Sequence, residues 1–316
     1  MEGPTVITVT LNPAVDRTIV IPGFREGAFH RAQEIRDSAG GKGINVSRVL
    51  RQLGTPSTVF ALAAGHIGGL LIDLLRREGL DLELVFLDQG ETRMNITIVN
   101  PNTGLETRIN EPGPQVTPAV LEELVGWIEQ VVRPGMWVVF SGSLPPGVPQ
   151  DIYADLIHRI RERMGFAALD TSGPPLHHGL RARPHLIKPN RREMEELWGR
   201  PIPDARQATW AAQVIAREWG CQILLSLDQE GAVWTDGQEV WWARVPVVQI
   251  RQSVGAGDAL LGAFLDRRLR GWSPGEALRF ASALATAATL SGEVARFHED
   301  DVQRVWDLTC LERCGT

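Results

Sequence analysis

From Thr117 onward the chain alternates between short apolar runs and longer amphipathic stretches, and this alternation constrains the fold more than any other feature. A helix is expected to start at Thr117-Pro118, since proline is tolerated at the first helical position. The strand Trp137-Val138-Val139-Phe140 runs into Ser141-Gly142-Ser143. A helix over about 150–164, strands at Phe166–Asp170 and His185–Lys188, two short helices, and a strand at Ile223–Leu227 follow. Asp236-Gly237 reads as a hairpin turn, and Ser273-Pro274-Gly275-Glu276 as a capping box. Strands that alternate with helices imply an α/β fold whose mainly parallel sheet is covered on both faces. In such sheets ligands lie beyond the carboxyl ends of the strands. Asn12, Ser141, Lys188, Ser226 and the loop at Gly255 are expected there.

The first third of the chain interrupts this pattern. Thr5–Thr10 reads as a strand, Gly40–Gly43 opens an amphipathic helix, Thr58–Ala63 is a strand and Ile67–Glu78 a helix. Residues 16–37 alternate in a β-like way around Pro22-Gly23. Arg93–Val99 and Leu105–Asn110 form a second β pair about Pro101-Asn102-Thr103-Gly104, a good turn sequence. With no linker, repeat or low-complexity tract, residues 1–316 are expected to form one domain, with a small β lid inserted from about 14–37 and 91–110. The net charge of −6 argues against nucleic acid or an anionic membrane as partner. No leader is visible at Met1–Pro4, and the longest uncharged stretch, Phe280–Gly292, is too short to span a bilayer. Three cysteines (Cys221, Cys310, Cys314) fit a reducing cytoplasm.

Three segments and two arginines carry chemistry. Gly255-Ala256-Gly257-Asp258 follows a strand-like stretch, Val245–Ile250, and precedes the helical pattern of 259–265. Small residues at such a junction leave backbone N–H groups free at the positive end of a helix, a ready anion site. Asp258 there reads either as an ordinary cap or as a base that takes a proton while the amides hold a phosphoryl group. Lys188-Pro189-Asn190-Arg191-Arg192-Glu193 reads either as a helix start with Glu193 as a first-turn cap, or as a nucleotide site. In the second reading Lys188 meets a phosphate, and Asn190 and Glu193 hold Mg²⁺ through its waters. Ala39-Gly40-Gly41-Lys42-Gly43-Ile44-Asn45-Val46 is a glycine loop leading into a helix, and lacks the spacing of a Walker loop. Arg93 and Arg108 in the lid strands suit a phosphate, although each is also an ordinary strand residue. Of the 32 basic residues only Lys42 and Lys188 are lysines, and both fall in these motifs.

Together with Leu11-Asn12-Pro13-Ala14-Val15-Asp16 and Ser141-Gly142-Ser143-Leu144-Pro145, these segments resemble, in family order, the PfkB (ribokinase-like) carbohydrate kinases. The resemblance runs from about Thr8 to Leu290 and is nearest to the branch of 1-phosphofructokinases and tagatose-6-phosphate kinases. It implies a three-layer α/β/α sandwich with a small β-sheet lid, and ATP-dependent phosphoryl transfer to a ketohexose phosphate. Fructose 1-phosphate is the expected acceptor, tagatose 6-phosphate or fructose 6-phosphate the alternatives. Asp258 would be the general base, and the amides of Gly255, Ala256 and Gly257 the anion hole. Asp16, Gly41, Asn45 and Ser141 would hold the sugar, with Lys42, Arg93 and Arg108 for its phosphate. Lys188, Asn190, Ser226 and Gly231 would serve ATP, and Asn190 with Glu193 Mg²⁺. A homodimer through the lid is implied by analogy. Asp228 stands where the family commonly has glycine, which bears on the grip on ATP, and Ser291–Val294 differs from the family's turn beside the adenine. A non-catalytic sugar-phosphate or nucleotide sensor on the same fold is the reading from another class. Asp258, Asn190 and Glu193 speak against it, because a sensor needs no base.

Overall fold

The computed structural model describes residues 6–315; Met1–Thr5, with the expected strand start at Thr5, and Thr316 lie outside the described residues. Strand β1 (Val6–Thr10) is followed by the pair β2 (Ala14–Val20) and β3 (Glu34–Gly40). Next come α1 (Lys42–Gln52), β4 (Ser57–Ala64), α2 (Gly65–Arg77) and β5 (Asp81–Leu87). A second pair, β6 (Arg93–Asn100) and β7 (Leu105–Ile109), precedes α3 (Pro118–Val131) and β8 (Trp137–Ser141). The alternation continues through α4 (Ile152–Glu162), β9 (Phe166–Asp170), α5 (Pro174–Arg181), β10 (Leu186–Ile187), α6 (Arg191–Trp198), α7 (Ala205–Trp219) and β11 (Gln222–Ser226). After a short 3₁₀ turn come β12 (Ala232–Thr235), β13 (Val240–Arg244), α8 (Ala256–Leu269), α9 (Pro274–Ala288), α10 (Glu299–Leu308) and β14 (Cys310–Arg313).

The large sheet runs β14-β13-β12-β11-β10-β9-β8-β1-β4-β5. From β11 to β5 every pairing is parallel, and the β12–β14 edge is antiparallel. Successive side chains of a strand point to opposite faces, and here both faces are buried. Val138, Phe140, Ala167, Leu169, Ile223 and Leu225 enter one core with α3–α7. Val139, Ala168 and Leu224 enter the other with α1 and α8–α10. This is the layered α/β fold expected from the alternation. The small sheet, β3-β2-β6-β7, joins the two inserted pairs through a parallel β2–β6 contact.

Some elements differ from expectation. Residues 245–250 form no strand. Pro246 lacks an N–H for a ladder, and β13 already ends at Arg244 against β14. The seven-residue strand β5, helices α5 and α10 and the edge strand β14 are additions to the expected elements. The second "short" helix, α7, is 15 residues long. The Ser273 hydroxyl accepts from the Glu276 N–H, as a cap requires.

Candidate active site

The residues just beyond β10 and at the end of β11, Lys188 and Ser226, border a cavity of about 550 Å³, and the N-terminus of α8 also lines it. Gly255 is the N-cap of α8 in a left-handed conformation (φ +84°), and no side chain caps the helix. A Cβ at that position would come within 3.0 Å of the Ala295 amide nitrogen and closer still to Val294. The first-turn amides therefore face the cavity at the positive end of the helix dipole.

Asp258 is the third residue of α8, and its side chain turns away from the helix end: Asn45 Nδ2 donates to its Oδ2 at 2.7 Å. It is not a cap. Burial, joined by the charge of Asp170, pushes its carboxyl up to about 6, against Lys42, Lys188 and the Asn45 bond. A carboxylate with that affinity for protons is suited to take one near neutral pH.

The chain's two lysines meet on one carboxylate. Lys42 Nζ lies 2.9 Å from Asp170 Oδ1, and Lys188 Nζ lies 3.3 Å from Oδ2. Asp170, wholly buried at the end of β9, is penalised by burial, yet the two ammonium groups hold it below the usual carboxylate range. Burial would lower Lys42, but Asp170, Asp258 and Glu193 outweigh it and raise the lysine above its usual range. A Cβ on Gly257 would sit 3.1 Å from Lys188 Nζ, so that ammonium lies against the helix-end amides. Asp170 was not singled out in the sequence. Its one signal is an acidic residue at the carboxyl end of a parallel strand.

Toward the small sheet, Asp16 and Asn95 sit side by side in the β2–β6 register, and Asn95 Nδ2 donates to Asp16 Oδ1 at 2.8 Å. Burial raises the Asp16 carboxyl, with Asn95, Arg93 and Arg48 acting against it. Arg93 Nη2 donates to the Asn12 carbonyl at 2.9 Å. Among the described residues, Arg93 Nε, Asn95 Oδ1 and Asn12 Oδ1 are buried without a partner in the protein. Buried polar atoms are normally paired, so this cluster fits a polar ligand with several hydroxyl groups.

At the opposite end, Ser226, Asp228, Gln229 and Gly231 line the cavity with Val245–Val248, Ile250, Ser282 and Thr286 of α9, and Thr289 just after it. The 245–250 segment thus borders the site instead of extending the sheet. Asp228 adopts φ +50°, a region that favours glycine. A Cβ on Gly231 would meet the Ala243 carbonyl oxygen at 1.9 Å.

Of the residues expected at the site, three stand apart from this cavity lining. Arg108 is exposed on β7 and pairs with Glu106 at 2.6 Å. Ser141 is buried at the end of β8. Glu193 lies behind Asn190 in a complete capping box: Asn190 Oδ1 accepts from Glu193 N, and Glu193 Oε2 from Asn190 N, both at 2.9 Å. The cap uses one carboxylate oxygen and leaves Oε1. That donor set fits a cation that keeps most of its waters and takes phosphate oxygens, as Mg²⁺ does. Among the described residues no group of three or more His, Cys, Asp or Glu could hold a metal ion by itself.

An uncapped helix N-terminus flanked by two ammonium groups, with a buried carboxylate between it and a polar pocket, suits the transfer of a phosphoryl group. The chain belongs to the pfkB family of carbohydrate kinases, whose model matches residues 9–300. It is thus an ATP-dependent sugar kinase. It is 36% identical to a 1-phosphofructokinase of Xanthomonas campestris pv. campestris over 94% of this chain and 95% of that one. Identity to the Rhodobacter capsulatus 1-phosphofructokinase is 34%, over 90% of each. The fold is similar to that of Escherichia coli phosphofructokinase-2 in complex with fructose-6-phosphate, with a TM-score of 0.89, 28% identity, and coverage of 96% of this chain and 98% of that one.

Proposed function

We propose that this kinase transfers the γ-phosphoryl group of ATP to fructose 1-phosphate, giving fructose 1,6-bisphosphate and ADP. The observation that carries the transfer chemistry is Asp258 beside the uncapped amides of Gly255, Ala256 and Gly257. Asp258 takes the proton of the acceptor hydroxyl as its oxygen bonds to the γ-phosphorus, and the bond to the β-γ bridging oxygen breaks, releasing ADP. The amides and the Lys188 ammonium face the negative charge on the transferring group. Asp16, Gly41, Asn45 and Asn95 hold sugar hydroxyls, and Lys42 and Arg93 the existing phosphate. Arg108 and Ser141 stand further off, and Ser141's unpartnered hydroxyl supports an indirect contact at most.

ATP occupies the end lined by Ser226, Gly231 and residues 245–250, with Asn190 and Glu193 holding Mg²⁺ through water. The cation, when bound, neutralises phosphate charge. The choice of sugar rests on the 1-phosphofructokinase relatives. Similarity to a phosphofructokinase that binds fructose-6-phosphate keeps a 6-phosphate acceptor as the second reading.

Two coarser features complete the proposal. The small sheet acts as a lid and joins two copies of the chain. Strand alternation puts Ile19, Ile35, Ile96, Ile98 and Ile109 on the face opposite Asp16, Arg93 and Asn95. A cytoplasmic setting is supported by three free cysteines.

The deciding assay is ADP release from Mg²⁺-ATP with fructose 1-phosphate, fructose 6-phosphate and tagatose 6-phosphate in parallel. The expected result is the highest kcat/KM with fructose 1-phosphate. A preference for a 6-phosphate moves the enzyme to the sister activity. ATP binding without turnover on any of the three removes the proposed substrate.

A further inference from the structure

The carboxylate assigned above as the base is held by a line of buried polar groups that reaches well behind the cavity. Asn45 Nδ2 donates to Asp258 Oδ2 at 2.7 Å. At the other end of the same amide, Asn45 Oδ1 accepts from Arg48 Nη1 at 2.6 Å. Arg48 is only 7% exposed. Glu78, at the end of α2, grips it at two points, Nε to Oε2 at 2.6 Å and Nη2 to Oε1 at 2.8 Å. Arg48 Nη2 also donates to the Ala39 carbonyl, and Arg296 Nη2 reaches Glu78 Oε2 at 3.4 Å.

An amide side chain has a donor end and an acceptor end of nearly equal shape, and its surroundings decide which way it points. A guanidinium carries donors only. Arg48 therefore donates to the oxygen end of Asn45, and the NH₂ is left to donate to Asp258. With the amide reversed, its oxygen would oppose the carboxylate. We propose that Arg48, anchored by Glu78, is a positioning residue for phosphoryl transfer: it fixes the Asn45 amide so that its N–H holds the base oriented and ionised. This rests on the reading of Asp258 as the base.

The other charged groups facing Asp258 are Lys42 on α1, Lys188 after β10 and Asp170 at the end of β9. The lysines favour its ionised form and Asp170 opposes it. Among the described residues the Asn45 N–H is the hydrogen bond its carboxylate accepts. Arg48 also acts on Asp16, but a change there alters the KM for the sugar phosphate and leaves the acid limb of kcat in place.

The test is kcat against pH, at saturating Mg²⁺-ATP and sugar phosphate, for the wild type, Arg48→Met, Asn45→Ala, the double variant, Glu78→Gln and Asp258→Asn. Arg48→Met and Asn45→Ala are each expected to move the acid limb up by about one pH unit, the order of one hydrogen bond to a carboxylate. That is a loss of about tenfold at pH 5 and little loss above pH 8. In the double variant, Arg48→Met adds no further shift. Glu78→Gln, which also serves if Arg48→Met fails to fold, moves the limb the same way by less. An unmoved limb, a uniform loss at every pH, or additive shifts in the double variant overturn the proposal. If Asp258→Asn itself keeps near-normal turnover, the base assignment falls and this role with it. An inactive Asp258→Asn beside an unmoved limb in Arg48→Met removes the positioning role alone.

Discussion

At the scale of single residues, the site is a small, nearly neutral cluster of opposing charges: two ammonium groups, Asp170 and Asp258. Two lysines on one buried carboxylate leave a net positive centre beside the helix-end amides, which favours an ionised Asp258, but burial and the charge of Asp170 outweigh it. The Asp258 carboxyl sits at about 6 in the folded protein, above the ordinary value for an unfolded chain. Between those two values the folded state binds more protons than the unfolded one, so the contribution of Asp258 to stability falls as pH rises through that window. Asp258→Asn removes this cost. It is expected to stabilise the fold at pH 7.5 by about 1–3 kcal/mol and to change it little near pH 3. Thermal melts at the two pH values check this, and equal effects at both would contradict it. The same substitution is expected to lower kcat by ~10²–10⁴-fold while ATP and sugar phosphate still bind. In the wild type, turnover is expected to decline below about pH 6, where the proposed base is protonated. Isothermal titration beside initial rates separates binding from turnover. The residues of this cluster were legible where they lie inside local motifs, as Lys42, Asn45, Lys188 and Asp258 do. Asp170 was not, because its role comes from meeting a lysine 128 positions away.

At the scale of elements, the start of α6 offers one pair of residues for two jobs. Asn190 and Glu193 close the helix start reciprocally, and both lie close to the proposed phosphate end of the cavity. The two alternatives read from Lys188–Glu193, a cap or a metal site, are therefore compatible. Glu193→Gln separates them, because glutamine also completes a capping box but lacks the charge a hydrated cation needs. The melting temperature is expected to stay within a degree or two of the wild type, while the KM for Mg²⁺-ATP rises several-fold. Unchanged kinetics would leave Glu193 as a cap alone. Asn190→Ala, by contrast, removes the cap itself, at a cost of about 1 kcal/mol. The contrast between cap and strand also explains what the sequence hid. Caps, hairpin turns and the glycine at 255 depend on neighbours within a few positions, so they were readable. Residues 245–250 have the composition of a strand, but whether they pair depends on β13 having already found β14 from the far end of the chain. Strand β5 owes its place to pairing with β4, which its own alternation of Asp81, Glu83 and apolar residues does not announce.

At the scale of the whole molecule, the proposed sugar end of the cavity has a wall that the large sheet does not build. Asp16, Asn95 and Arg93 stand on the inner face of the small sheet. The opposite face carries an isoleucine row in which Ile35 is 57% exposed and Ile109 52% exposed. Exposed apolar rows on a sheet of only four strands are costly to leave in water and mark interaction surfaces. If two copies cover that face in each other, the lid is held in place by the dimer, and substrate affinity depends on assembly. Sedimentation velocity at micromolar concentration is expected to give a dimer for the wild type and a monomer for the Ile35→Glu, Ile109→Glu double variant. The variant's KM for the sugar phosphate should rise by tenfold or more, because Asp16 and Arg93 lose their support. Its KM for ATP should change little, since residues 226–231 and 245–250 lie at the other end of the cavity. A monomeric wild type would remove the dimer. A dimeric double variant would move the interface off this face.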